Sequence, residues 1–260
     1  MTQKNPLISI LVNCYNSEKF LKDCLNSLIK QTYENIEIIV WDNASSDKTA
    51  QIVSEFNDPR IYYYLSNIHR NLVESRITAW SKINGEYVAI MDSDDLSYID
   101  RLKIQFDIIN KSKNIAVVGG GVEYINDLGD TITYKKFSVS NKKLKNEIFY
   151  KFPMNNSALF FDKKKIDNVG GYSNQYVFIN DYELLFRLSK KYDIVNTDVI
   201  VSKNRIHKEN LSNKNFLSMQ NELLFFLNKI KSEIKSPIIK ILNFIERYKC
   251  HFRLFRINYF

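Results

Sequence analysis

Tyr87-Val88-Ala89-Ile90-Met91-Asp92-Ser93-Asp94-Asp95 is the stretch on which the fold turns. Its apolar half reads as a buried strand, a short continuous run of the kind a covered sheet requires. Three carboxylates then crowd the point where the chain leaves the core. Such crowding is costly unless a cation or a basic partner offsets it. Hard divalent ions take oxygen ligands, and Mg²⁺ is commonly held by one or two carboxylates together with substrate phosphates. The stretch therefore predicts a strand that delivers a metal–diphosphate site. The alternative is a solvated acidic turn in which Asp95 or a neighbour caps the next helix.

The flanking sequence repeats the strand–helix rhythm. Leu7 to Val12 is a strand ending in the polar turn Asn13-Cys14-Tyr15-Asn16-Ser17. From Glu18 onward Phe20, Leu21, Cys24, Leu25, Leu28 and Ile29 fall at helical spacing. Ile36 to Trp41 is a second strand ending at Asp42, Arg60 to Leu65 a third, and helices are expected between them. A helix from Asp100 to Ile109 and a strand at Ala116 to Val118 follow. Alternation of this kind predicts an α/β domain with a mostly parallel central sheet flanked by helices. Ligands of such sheets lie outside the carboxyl ends of the strands. Asp42 and the Asp92 tetrad occupy two such ends, so one crevice should hold both.

After Gly119-Gly120-Gly121 the pattern loosens. Thr131 to Tyr134 reads as a hairpin arm, Ser157 to Phe161 as a short strand, and Asp181 to Tyr192 as a helix. Asp181 falls in that helix's first turn, where the macrodipole favours negative charge. From Asn215 two helices separated near Pro237 are rich in Phe, Leu and Ile and studded with Lys and Arg. From Phe216 onward eight Lys or Arg stand against three Glu, which places +5 of the net charge of +8 in this tail. A basic amphipathic stretch suits a membrane surface or a partner; packing on the domain or in a homodimer interface is equally open.

At 260 residues, 45% hydrophobic and 25% charged, the chain is globular. It has no run of eighteen apolar residues, and no signal peptide is expected. Cys14, Cys24 and Cys250 are few and scattered, as in a reducing compartment. A cytoplasmic chain, in peripheral contact with the inner face of the membrane through residues 215–260, is the expectation. The absence of G-x-G-x-x-G after a strand disfavours a dinucleotide oxidoreductase. Nucleic acid is not expected as a partner, since charge alone suggests it and Phe and Leu dominate the basic tail.

These motifs together resemble the family 2 glycosyltransferases of GT-A (Rossmann-like) fold, over residues 6 to 212. The resemblance rests on Cys14-Tyr15-Asn16-Ser17 after the first strand and Trp41-Asp42-Asn43-Ala44-Ser45-Ser46-Asp47-Lys48-Thr49 after the second. It continues with Gly85-Glu86-Tyr87 leading to the DxD motif, Gly170-Gly171-Tyr172 before Asn180-Asp181, and Arg205-Ile206-His207. Departures are Ile77 after Arg76, where Arg-Asn is usual, and Asn180, where an acidic residue is usual. The resemblance divides the chain into a catalytic domain, residues 1–212, and a helical extension, residues 213–260.

What the resemblance implies is inverting transfer of a sugar from a nucleotide diphosphate, UDP most commonly, to an acceptor hydroxyl. The acceptor would be a surface polysaccharide or a lipid-linked glycan. Asp181 is the implied general base. Tyr15, Asn16, Asp42, Arg76, Asp92, Ser93 and Arg205 are the implied nucleotide-binding residues. Asp94 and His207 would hold Mn²⁺ or Mg²⁺. The rivals are an inactive nucleotide-sugar-binding protein of the same fold and a sugar-phosphate nucleotidyltransferase, although Asn13 to Ser17 lacks the Gly-rich basic loop the latter would want.

Overall fold

A computed structural model of the chain describes residues 5–259. The first half alternates as expected: β1 (Ile8–Cys14), α1 (Leu21–Ile29), β2 (Ile36–Asp42), α2 (Thr49–Ser54), β3 (Ile61–Leu65), α3 (Leu72–Trp80) and β4 (Tyr87–Asp92). The short β5 (Leu96–Ser97), α4 (Arg101–Ile109), β6 (Ile115–Ile125) and β7 (Thr131–Lys135) follow. Then come α5 (Asn141–Glu147), a 3-10 turn at Asn156–Ala158, β8 (Phe160–Asp162), α6 (Lys163–Asp167), α7 (Asn180–Lys191) and β9 (Asp193–Arg205). The chain closes with α8 (Leu211–Lys214), α9 (Phe216–Ile230) and α10 (Pro237–Tyr259).

All nine strands join one sheet in the order β3-β2-β1-β4-β8-β6-β9-β5, with β7 on the outer part of β6. The four N-terminal strands are parallel. Beyond β4 the sheet is mixed, because β8 runs antiparallel to both β4 and β6 while β6 and β9 run parallel. Parallel pairing across β1, β2 and β4 puts Cys14, Asp42 and Asp92 at one edge, since Asn13 pairs with Asp92 and Cys14 with Asp42.

Alternate residues of each strand feed two cores. Ile8, Ile10 and Val12 face α1, α2 and α4. Leu11, Ile39, Val88 and Ile90 face α3, α5, α7 and α9. Phe226, Leu227 and Ile230 of α9 are buried in this second core beside Tyr182 and Phe186 of α7. The C-terminal helices therefore begin as part of the core on this face of the sheet. Burying three such side chains contributes several kcal/mol, at roughly 1.5–3 kcal/mol each.

The triple glycine does not end a strand. β6 runs on through it, its register against the parallel β9 shifting at the glycines, and β9 lies so close that a Cβ on Gly120 would lie 2.5 Å from Val201 and one on Gly121 2.6 Å from Ile200. The glycines are the condition for a long β9, which carries Arg205 back to the Asp tetrad.

Candidate active site

Three loops converge at the carboxyl edge of the parallel strands. The β1–α1 turn is tied to the β2–α2 turn: Asn16 N–H donates to Ser45 Oγ at 2.9 Å, and Asn16 Oδ1 accepts from Ser46 N–H at 2.9 Å. Asn16 holds a left-handed φ of 50° that Asn tolerates better than most residues. Ser17 Oγ meets Ser93 Oγ at 2.8 Å, which brings in the loop after β4. Asn16 and Ser93 thus set the relative heights of the three loops.

Asp42 is fully buried. Its carboxylate accepts from Ser45 N–H at 2.8 Å and from Tyr63 Oη–H at 2.6 Å. Burial and the Asp42 charge push the Tyr63 phenol well up, so it stays a donor. Tyr15 is half exposed and packs, tilted by 44°, at 4.1 Å on His69, whose Nδ1 lies 3.1 Å from the Asn43 carbonyl. Asn43 in turn bonds both main-chain groups of Arg70. The result is an aromatic platform beside a buried carboxylate, the chemistry that suits a stacked heterocyclic base.

The Asp tetrad divides its labour. Asp92 accepts from Asn156 Nδ2 at 2.8 Å and from Ser157 Oγ at 3.1 Å. Asp95 turns inward, accepting from Arg205 N–H at 2.8 Å and Asn204 Nδ2 at 2.6 Å. It caps no helix; it fastens the loop to β9. Asp94 faces His207, whose Nε2 is 2.8 Å from Oδ2, and Asn210 Nδ2 donates to the same oxygen at 3.0 Å. Burial, then the neighbouring Asp92 charge, push the Asp94 carboxyl above the usual carboxylate range, against the pull of the His207 bond. Burial, then Asp94 and Asp92, hold Asp95 higher still.

Arg76 connects this edge to α7. Its Nη1 bonds Asp181 Oδ2 and, at 2.6 Å, Asn180 Oδ1, while Nη2 stands 3.9 Å from Asp92 Oδ1. Tyr172 Oη–H donates to the other Asp181 oxygen at 3.1 Å. Burial would weaken the guanidinium's hold on its proton, but Asp181, Tyr172 and Asp92 outweigh it and Arg76 stays cationic. Its Nε is buried and has no partner among the described residues. Asn180, where the resemblance wants an acid, is a buried acceptor for the same arginine.

Arg205, expected among the nucleotide-binding residues, is placed differently. Its Nε donates to the Asp94 carbonyl at 3.1 Å, its Nη1 to the carbonyls of Asn126 and Asp127, and its plane covers Phe20 at 4.4 Å. The guanidinium is spent on holding the tetrad loop from behind. Glu222 of α9 has no counterpart in the sequence reading. Its carboxylate accepts from three successive main-chain N–H groups, those of Val177 and Phe178 at 2.8 Å and of Ile179 at 3.2 Å, just before α7. Ile179 is the cap position of α7 and has no side-chain cap of its own.

With this geometry established, the relatives can be placed. The sequence profile of glycosyl transferase family 2 matches residues 9–170, more than half of the chain. The chain belongs to glycosyl transferase family 2. It is 28% identical over 218 residues to the Escherichia coli UDP-Glc:alpha-D-GlcNAc-diphosphoundecaprenol beta-1,3-glucosyltransferase WfgD, covering 83% of each chain. It is also 28% identical over 223 residues to an uncharacterized glycosyltransferase of Rickettsia conorii, covering 83% of this chain but 36% of that relative's length. Among solved structures, S. aureus TarS 1-349 in complex with UDP-GlcNAc superposes with a TM-score of 0.70 at 20% identity, over 95% of this chain and 72% of that one. The mannosyltransferase PcManGT of Pyrobaculum calidifontis, in complex with GDP-Man and Mn²⁺, gives 0.70 at 17% identity over 95% and 70%. The glycosyltransferase fold expected from the motifs is the fold observed.

Whether a divalent ion suits this family 2 site is decided by its donors. Among the described residues no three His, Cys, Asp or Glu side chains close a cage. Asp94 and His207 nevertheless present an oxygen and a nitrogen 2.8 Å apart. Such a pair fits an ion completed by substrate phosphates rather than a resident structural metal.

Proposed function

We propose that this chain transfers a sugar with inversion from a nucleotide diphosphate, UDP foremost, to a hydroxyl of a lipid-linked or polysaccharide acceptor. One observation carries the reading: Arg76 spans Asp181 and Asp92, so the carboxylate suited to take a proton and the tetrad suited to the donor share one guanidinium.

The base packs on Tyr15 with His69 at its rim, and Asp42 lies buried beneath, holding the loop through Ser45 and Tyr63. Asp92 and Ser93 line the ribose and diphosphate, and Asp94 with His207 would hold Mn²⁺ or Mg²⁺. When bound, that ion would offset charge developing on the leaving diphosphate. The acceptor oxygen attacks the anomeric carbon from the face opposite the leaving group. The carbon–oxygen bond to the diphosphate breaks, and the acceptor proton passes to Asp181. Arg76 and Tyr172 each hold one Asp181 oxygen, which fixes the carboxylate's plane while leaving lone pairs free for the incoming hydroxyl. Arg205 acts from behind, by positioning the loop of Asp94.

The acceptor class is supported by the E. coli relative named above, whose name gives a diphosphoundecaprenol-linked substrate. Peripheral contact with the cytosolic membrane face, through exposed apolar side chains of α10, agrees with that acceptor.

The deciding experiment offers the full chain a panel of UDP-, GDP- and dTDP-sugars with Mn²⁺ and reads release of nucleotide diphosphate. The expected outcome is turnover of one UDP-sugar, with Asp181→Asn lowering kcat roughly 10²–10⁴-fold while UDP binding persists. Equal turnover by Asp181→Asn, or none with any sugar nucleotide, ends the reading.

A further inference from the structure

Away from the Asp tetrad, Lys135, Lys136, Lys143 and Lys151 line a cleft of about 240 Å³ between the end of β7 and α5. That is the room of about eight waters, enough for a diphosphate group and too little for a whole sugar nucleotide. We propose that this cleft is the subsite for the diphosphate of a lipid-linked acceptor. The proposal deepens the transferase reading above and rests on it for the acceptor's role.

Charge comes first. The cleft holds one carboxylate, Glu147, which is buried and engaged by Ser138 Oγ–H at 2.8 Å and Lys151 at 3.3 Å. A net charge of +3 remains on the lining. Among the described residues Lys135, Lys136 and Lys143 have no carboxylate within ion-pair distance. Like charges gathered in a concave site focus the potential that an anion meets. The donor's own diphosphate has its place elsewhere, on the strand edge of Asp92.

Position comes second. Val88 of β4 and Val117 of β6 both pair with Phe161 of β8. From there both strands run on in the same direction, β4 to Asp92 and β6, with its register shifting at Gly121, to Val122, which pairs with Lys135. The Lys135 rim of the cleft therefore lies toward the same end of the sheet as the tetrad. Phe152 lines the cleft and packs at 5.6 Å on Tyr182, the residue after Asp181. From Phe152 four residues of chain lead to Asn156, which bonds Asp92. Four residues reach at most about 14 Å, the scale of one sugar and its attached diphosphate. A sugar presented to Asp181 thus has its diphosphate within reach of the lysines.

The segment after α5 also touches the C-terminal helices. Phe149, on the segment after α5, accepts a 2.7 Å bond from Asn243 of α10. The exposed side of α10 carries Ile241, Phe244 and Ile245. Asn243 is buried on the inner side of α10, so a prenyl chain would reach this apolar side only by passing around the helix.

The test titrates the full chain, saturated with UDP and Mn²⁺ to block the donor site, with farnesyl diphosphate, farnesol and inorganic pyrophosphate. Farnesyl diphosphate should bind at least tenfold tighter than either of the others, and more weakly as salt rises. The double reversal Lys135→Glu/Lys143→Glu should weaken it at least tenfold with UDP affinity unchanged. Should that variant not fold, Lys136→Ala/Lys151→Ala should weaken it severalfold. Unaltered farnesyl diphosphate affinity in a folded variant overturns the proposal. Pyrophosphate binding as tightly as farnesyl diphosphate also overturns it, because it assigns the cleft to a free anion. Hydrolysis of a UDP-sugar, read on the same samples without acceptor, reports on the transferase reading alone.

Discussion

Arg76 is where the candidate site is most exposed to a single change. It is buried, and its positive charge serves Asp181, Asn180 and Asp92 together. Removing one partner of a buried pair leaves an uncompensated charge and costs about 3–5 kcal/mol. Arg76→Met should therefore lower stability to urea by that order and remove measurable transfer. Arg76→Lys should keep much of the stability and still lose at least tenfold in kcat, because an ammonium cannot span two carboxylates as a planar fork does. Equal kcat in Arg76→Lys and the unaltered chain would show that Arg76 does not orient Asp181. Asp94 and Asp95 make a pH prediction. Burial and neighbouring carboxylates hold both above the ordinary value near 3.9. Between that value and the raised ones the folded chain keeps protons that the unfolded chain has lost. Metal-free stability must then fall as pH rises through this window. Thermal melts from pH 4 to 8 should show the fall, and Asp95→Asn should flatten it. The carboxylates themselves were legible, because each follows a strand. Their partners Tyr63, Asn156 and Asn210 were not: a lone polar side chain on an edge strand or in a turn carries no pattern to announce what it meets.

At the level of elements, α9 and α7 act as a pair. The first turn of a helix leaves N–H groups without partners, and α7 already carries Asp181 and Glu183 there. Glu222, from a helix remote in sequence, supplies an acceptor to the Ile179 N–H at the cap and to the Val177 and Phe178 N–H groups just before it. Substituting a capping acceptor costs about 0.5–2 kcal/mol, and here the loosened turn is the one that carries the proposed base. Glu222→Ala should lower stability by that amount and kcat severalfold, with donor KM little changed, while Glu222→Gln should recover much of both. A kcat unchanged in Glu222→Ala would mean that Asp181 is held by Arg76 and Tyr172 alone. The sequence marks α9 as an apolar and basic helix at the right residues. It gives no sign that one face completes the core, since Phe and Leu serve a protein core and a lipid surface alike. Nor does it show β6 crossing three glycines, where the deciding fact is how near Val201 and Ile200 lie.

Over the whole molecule, legibility follows topology. The parallel half obeys a local rule, strand then helix then strand, and its edge could be found from apolar runs alone. The mixed half is built by pairings such as β8 with β4 and β9 with β6, which no local pattern encodes. The C-terminal hairpin shows the same division. Its inner side belongs to the core, so removing the tail would test folding rather than docking. Its outer side is accessible to substitution: Ile238, Ile241, Ile245 and Tyr248 recur at helical spacing and are 69%, 59%, 41% and 65% exposed. Lys240 and Lys249 are exposed on the same helix. No helix among the described residues is long and apolar enough to cross a membrane. An apolar stripe with cations beside it suits an anionic interface, where each basic residue near the surface adds about 1 kcal/mol. The full chain should co-float with vesicles containing phosphatidylglycerol, and much less with phosphatidylcholine alone or at high salt. Ile241→Asp/Phe244→Asp should reduce flotation at least tenfold without lowering the melting temperature, because both side chains are already in water. If the substituted chain floats as well as the original, α10 does not carry the contact, and the route to a lipid-linked acceptor must lie on another face.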